Sequence, residues 1–325
     1  MAVLPEFQLL RPDTAAEAAR LHALHPDSRY LAGGTDLLPN LRRGLVATDV
    51  VIDLGGLPEL TEIREEPGVL RIGAGVPLAA LAAHGVIRGR LTALAQAAEG
   101  VAGPTHRRSA TLGGNLCLET RCRFYNQSET WREANDFCMK LGSDACRVAT
   151  RSPRCYAAFS GDLAPALMVL QAEVELLGPS GLRRLPMAAF YRDDGMAWLA
   201  LAPDELLVAV RVPLELGWNS GYEKIRVRAS IDFPLAGVAV ALRCQGETLL
   251  DLRVALTGVS SRPEGIHGLE GLVGRPLDDL ALAILLRQVK AGTQAMGTTL
   301  VDVSYRRRIV PVLAKRLVER LYISR

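Results

Sequence analysis

The chain has 325 residues, a length that suggests about two domains, and its 49% hydrophobic and 22% charged residues exclude wholesale disorder. A formal charge of +3, with no basic stripe interleaved with stacking aromatics, gives no ground for a nucleic-acid partner. About 18 apolar residues in a row would be needed for a membrane span, and none is expected here.

The first residues, MAVLPEFQLL, lack the charged-then-apolar order of a signal peptide. A reducing cytoplasm is therefore the expected setting, where clustered thiols point to metal or redox chemistry more than to disulfides.

In chain order, Thr14 with Glu17 three residues on is a capping signal and predicts a helix. A short apolar strand at 29–32 then runs into Gly33-Gly34-Thr35-Asp36. Buried strands are expected at 50–54 and 69–72, the second ending in Gly73-Ala74-Gly75. Ala/Leu-rich helices follow at 78–84 and 91–101, then Gly103-Pro104-Thr105 and Thr111-Leu112-Gly113-Gly114-Asn115. The stretch 121–155 breaks the pattern, with seven basic and four acidic residues, four aromatics and no sustained period. A helix at 162–170 and a strand at 174–177 resume it. Strands are expected at 205–212, 222–228, 235–242 and 249–257, and helices at 277–291 and 310–322. This alternation is the α/β or α+β signature. Pro213, Gly217 and Asn219 cluster at a boundary that divides the chain into 1–216 and 217–325.

Two glycine pairs stand out. A diphosphate needs several backbone N–H donors at close range, and glycine lets the backbone approach with no Cβ in the way. Thr35, Thr111 and Asn115 can add side-chain hydrogen bonds. Either pair alone reads equally as a turn. Neither standard nucleotide fingerprint is present, since Gly73-Ala74-Gly75 lacks the third glycine and no glycine stretch ends in Gly-Lys-Ser/Thr.

Five of the six cysteines fall between Cys117 and Cys155. Cys122, Cys138, Cys146 and Cys155 are separated by 15, 7 and 8 residues, without the close pairs of zinc ribbons or bacterial ferredoxins. Four thiolates are soft ligands for iron or zinc. The spacing alone leaves a cluster, a structural zinc, a disulfide pair and unrelated thiols all open.

The segments LAGGTDLLPNLRRG and ATLGGNL resemble the two FAD-binding segments of flavoprotein subunits in the xanthine oxidase and carbon monoxide dehydrogenase family. So do Gly161-Asp162-Leu163-Ala164-Pro165-Ala166-Leu167, Glu205-Leu206-Leu207, Lys224 with Phe233-Pro234, and Tyr305-Arg306-Arg307-Arg308. The resemblance spans nearly the whole chain in the family's order. It implies an α+β protein with a two-part FAD-binding domain of the PCMH type, followed by a smaller α/β domain.

By matching position, Ala32, Gly33, Gly34, Thr35, Asp36 and Leu37 would hold the FAD diphosphate. Val101, Thr111, Gly114 and Asn115 would line the flavin side. Asp162 would reach a polar part of the cofactor, and Lys224 would sit near the isoalloxazine. Read without the family, Asp162 is a helix N-terminal acid and Lys224 an exposed strand lysine.

Ordinary subunits of this family run directly from the TLGGNL segment to the helix at 162–170. Here 121 to about 160 is an insertion. It resembles the one in β subunits of 4-hydroxybenzoyl-CoA reductases, which implies a [4Fe–4S] cluster on Cys122, Cys138, Cys146 and Cys155. Cys117 is left outside that set, and Cys244 reads as a core residue. The implied assembly is a dimer of heterotrimers, with a molybdopterin subunit for the ring chemistry and a [2Fe–2S] subunit. This chain would have no catalytic residue of its own. It would relay electrons from reduced ferredoxin for the dehydroxylation of 4-hydroxybenzoyl-CoA in anaerobic aromatic degradation. Two other readings stand beside it: the FAD subunit of another hydroxylase or dehydrogenase with a structural zinc loop, and a non-enzymatic scaffold.

Overall fold

The computed structural model describes residues 3–324. Along the strand Ala236–Gln245, Val238, Val240 and Leu242 point one way while Ala239 and Ala241 point the other, as the two-residue period of a strand requires. The larger side chains pack against Leu285 and Val289 of the helix Asp279–Gly292, and against Val310 and Leu317 of the helix Val303–Ile323. The alanine face, joined by Tyr222, packs against the helices Thr92–Gly100 and Leu163–Val169. A one-residue slip would exchange the two faces, so the register is tightly specified. The sheet is antiparallel, in the order Glu264–Gly265, Thr248–Thr257, Ala236–Gln245, Asn219–Ile225. The carboxy-terminal sheet therefore shares a core with the helices before it.

A second antiparallel sheet runs in the order Ile63–Glu66, Val69–Gly73, Leu206–Pro213, Glu173–Gly178, Gly181–Pro186. Its central strand reads LLVAVRVP and is almost wholly buried. Glu175, 1% exposed beside that strand, is held by Arg71 at 2.8 Å, Arg184 at 3.1 Å and Arg211 at 3.5 Å. Such partners offset the loss of hydration that burying a carboxylate costs. The smallest sheet is parallel, with Val50–Asp53 between Gln8–Leu10 and Arg29–Leu31. The helix Ala15–Leu24 makes the crossover that parallel strands require. Thr14 caps it, its hydroxyl accepting from the Glu17 N–H at 3.1 Å.

Most elements lie where the sequence places them, and the departures have physical causes. The last helix begins at Val303, well before the expected 310, because Asp302 caps it by accepting from the Tyr305 N–H at 3.0 Å. Pro311 lies inside it. The strand expected at 222–228 is Asn219–Ile225. The helices Gly85–Arg90 and Pro104–Ser109 are too short to carry a readable period. Among the described residues no helix is long and apolar enough to cross a membrane.

Candidate functional site

The two glycine segments meet. Gly33 lies so close to the end of the helix Pro104–Ser109 that a Cβ would stand 1.7 Å from the Ser109 carbonyl oxygen. The turn at 32–36 then feeds the helix Leu37–Arg42, with Gly34 at φ +68°. Among the described residues, the backbone N–H groups of Gly33, Gly34, Thr35, Asp36 and Leu37 find no acceptor in the chain. Five consecutive unpaired donors, one of them on a left-handed glycine, are a donor set that suits a diphosphate.

The second segment is spent differently. The Gly113 N–H bonds to the Ala74 carbonyl at 2.7 Å, and the Gly114 N–H bonds to the Thr111 hydroxyl at 3.1 Å, capping the short helix Leu112–Leu116. Asn115 Oδ1 accepts from the Leu163 N–H at 3.0 Å, which fixes the start of the helix Leu163–Val169. Thr111 and Asn115 thus have local duties that the sequence did not disclose. A Cβ on Gly114 would meet only its own Thr111 hydroxyl, at 3.1 Å, so this glycine faces open space. Gly73 and Gly75 are packing positions, since a Cβ there would stand 2.2 and 3.0 Å from the Leu60 carbonyl oxygen.

Asp162 and Lys224, chosen separately from the sequence, are partners. Lys224 Nζ lies 2.8 Å from Asp162 Oδ1, and both side chains are about one-twentieth exposed. The Tyr222 hydroxyl donates to the same oxygen at 2.8 Å. Burial raises the Asp162 carboxyl above the usual range, and Lys224 opposes that rise. Burial also raises the Tyr222 phenol, with the Asp162 charge adding to it. Asp162 does stand at the N-terminus of the helix Leu163–Val169, though its carboxylate turns to Lys224 instead of capping it; the reading of Lys224 as an exposed lysine is corrected, because its side chain is buried against that carboxylate. Val101 is next door, since a Cβ on Gly100 would stand 3.8 Å from the Lys224 and Tyr222 side chains. Tyr222 is the member that sequence reading missed; nothing in its strand position marks it.

The insertion is closed at its neck by Arg121 and Ala158, which exchange backbone hydrogen bonds of 2.8 and 2.7 Å. Inside, regular structure is limited to the helix Glu129–Glu133 and the 3₁₀ turn Met139–Leu141. Cys122, Cys138, Cys146 and Cys155 are all buried, and all four line one void whose walls include Phe124, Tyr125 and Val148. The four thiols share the lining of that void, and among the described residues no three His, Cys, Asp or Glu side chains are gathered closely enough to hold a single metal ion. Cys117 and Cys244 are not among its lining residues, and no disulfide occurs among the described residues.

Burial raises the Cys122 and Cys138 thiols, whereas Cys146 is pulled down to about 5 because the Cys155 thiol donates to it. Cys155 is pushed up by the same bond. The Ala157 N–H donates to Cys155 Sγ at 3.4 Å. Soft sulfurs, an apolar wall and an N–H donor to sulfur are groups that could hold a thiophilic metal or cluster.

The loop is also docked on the first glycine segment. Arg121 pairs with Asp36 and donates to Asn40 Oδ1 at 2.9 Å. Arg43 donates to the Asn126 carbonyl at 2.7 Å, and the Tyr125 hydroxyl donates to the Leu45 carbonyl at 2.6 Å.

Residues 5–215 match the family described as FAD binding domain in molybdopterin dehydrogenase, and residues 221–321 match the CO dehydrogenase flavoprotein C-terminal domain. The chain belongs to this FAD-binding flavoprotein family. It is thus an oxidoreductase subunit of the molybdenum hydroxylase group, with FAD as its cofactor. This flavoprotein is similar to the aldehyde oxidoreductase FAD-binding subunit PaoB of Escherichia coli (strain K12), 36% identical over 79% of this chain and 82% of that one. It is also similar to the carbon monoxide dehydrogenase medium chain of Afipia carboxidovorans, 29% identical over 97% of this chain and 96% of that one. Its fold matches the solved carbon monoxide dehydrogenase from Hydrogenophaga pseudoflava that lacks the Mo-pyranopterin moiety, with a TM-score of 0.81 at 26% identity over 99% of both chains.

The flavoprotein's glycines invite a direct test. Gly34→Val and Gly114→Val are both expected to release FAD, seen as lost flavin absorbance after desalting. Gly34→Val should also destabilise the fold by about 1–3 kcal/mol, because a branched side chain at positive φ is strained. Gly114→Val should melt close to wild type. Full flavin in both variants would remove the glycine segments from the cofactor site.

Proposed function

We propose that this chain is the electron-relay subunit of a molybdenum-dependent oxidoreductase, carrying FAD and a [4Fe–4S] cluster. The observation that carries the cluster is the gathering of Cys122, Cys138, Cys146 and Cys155 around one void, in a loop closed at 121 and 158. A ring of thiols around a space suits a multinuclear cluster better than one zinc ion, which would draw them to a point. In this reading residues 1–216 form the FAD-binding domain, the loop at about 121–160 is inserted into it, and 217–325 form the second domain.

Ala32 to Leu37 hold the FAD diphosphate, and the unpaired N–H groups of 33–37 support that role. Val101, Thr111, Gly114 and Asn115 form the flavin-side wall. Asp162 and Lys224 act there as a neutral pair, aided by Tyr222. Bound flavin supplies exchange of one or two electrons, and the protein tunes it through hydrogen bonds and charge. This chain's own residues exclude water and fix the two sites relative to each other through Asp36, Arg121 and Asn40. The partners proposed are a molybdopterin subunit and a [2Fe–2S] subunit, as a dimer of heterotrimers in the cytoplasm.

Two substrate readings differ in the direction of electron flow. Similarity to an aldehyde oxidoreductase subunit favours oxidation, in which an aldehyde and water give a carboxylic acid, two electrons and two protons. The loop's likeness to that of 4-hydroxybenzoyl-CoA reductases favours the opposite flow. There two electrons from reduced ferredoxin and two protons convert 4-hydroxybenzoyl-CoA to benzoyl-CoA and water.

The copurified complex, given aromatic aldehydes with an acceptor dye or 4-hydroxybenzoyl-CoA with a low-potential reductant, is expected to turn over one of the two. Iron and labile sulfide in the chain purified apart from its partners check the cluster, and a yellow chain containing zinc would overturn it.

A further inference from the structure

The cysteine loop holds two enclosed cations, Arg132 and Lys140, and of these Lys140 is the one on the void. Its side chain is 8% exposed, although lysine is almost never buried without a purpose or a partner. It lines the same void as the four thiols. Its ammonium pairs with Glu119, donates to the Thr120 hydroxyl, and reaches the Gly195 carbonyl at 3.0 Å and the Thr120 carbonyl at 3.3 Å. The Tyr125 and Trp198 rings lie 4.9 and 5.1 Å from it. The other basic residue on the void, Arg147, turns its guanidinium to the carbonyls of Asn135, Asp136 and Phe137. Lys140 is therefore fixed at the rim, with its charge screened by little water.

We infer that Lys140 sets the reduction potential of the four-cysteine site, its fixed positive charge favouring the more negative, reduced form. The inference rests on the cluster reading above. Each electron added to a site of four thiolates raises its negative charge by one, and a cation in an apolar wall acts at a low effective dielectric. Glu119 partly offsets the cation, so the two residues should move the potential in opposite directions.

The test is an EPR-monitored potentiometric titration of the full chain with its cluster, in wild type, Lys140→Met and Glu119→Gln. In Lys140→Met the reduced-to-oxidised ratio at a fixed poise should fall about tenfold or more, a shift of about 59 mV for one electron. In Glu119→Gln it should rise, and Lys140→Arg should restore the wild-type value. A role confined to tying the loop together would give no such reversal of sign. Should Lys140→Met fail to fold, Glu119→Gln still decides, since an unmoved or lowered potential there overturns the inference. A cluster present in all variants at one potential also overturns it while leaving the cluster reading intact. Wild-type protein without iron and sulfide removes the cluster reading and this inference with it.

Discussion

Cys138→Ser or Cys146→Ser strips the iron and labile sulfide from the chain and leaves FAD in place; that is the expected result of changing either residue. A hard hydroxyl is a poor replacement for a thiolate on iron, so the loss should be nearly complete. The glycine segments that would hold FAD lie outside the neck formed by Arg121 and Ala158. Iron, sulfide and flavin are measured on the same purified sample. The variant complex should accept electrons slowly from a ferredoxin-like donor, while activity assayed with a dye reacting at the flavin or molybdenum survives. Joint loss of FAD and iron would mark the loop as a structural tie, because it docks on residues 36–45 through Arg121, Tyr125 and Asn126. Retained iron in both variants would show the ligand set to be wrong, with Cys117 the next residue to change.

The second large effect is expected at the buried pair. Lys224→Met leaves the Asp162 carboxylate enclosed with only the Tyr222 hydroxyl, and breaking a buried pair in this way costs about 3–5 kcal/mol. Adding Asp162→Asn should recover most of that loss. The pH dependence has a definite sign. Burial raises the folded-state carboxyl of Asp162 above its unfolded value, and removing Lys224 takes away the largest opposing influence. The folded variant therefore binds its proton more tightly than the unfolded chain. Its stability is greatest below the ordinary carboxylate range and declines as pH rises through the folded value. Denaturant midpoints between acid and neutral pH read this directly, and the double variant should give a flatter profile. Equal stability of Lys224→Met and wild type at neutral pH would show that the two charges are not coupled. Since Asp162 offsets Lys224, the flavin potential should respond to the single change less than a lone cation would suggest.

The fold was legible wherever a period was long enough to leave a trace. Strand 236–245 and helix 163–169 carry their burial pattern openly, and the caps at Thr14 and Asp302 follow local chemistry. Only the first of those caps was read; the last helix was expected from 310, inside its observed span. The site was less legible, since its decisive facts are long-range. Nothing local says that Gly33 meets Ser109, that Gly73 and Gly75 serve only to pack on Leu60, or that Asp162 pairs with a lysine 62 positions on. The cysteines were visible by type. The four that line one void are those the family resemblance singled out, with Cys117 apart; spacing alone did not choose them, because the void exists only once the loop folds back on itself.

The order of the five-stranded sheet bears on how such a chain is made. Its central strand, Leu206–Pro213, is the last of the five to be synthesised, yet it must slot between Val69–Gly73 and Glu173–Gly178. Domains generally fold as units during synthesis, and contacts between distant segments form late. The amino-terminal body therefore cannot close until residue 213 has left the ribosome, and by then the whole cysteine loop is already outside. Its four thiols therefore leave the ribosome before the five-stranded sheet can close, although residues 36–45, on which the loop docks, have already emerged.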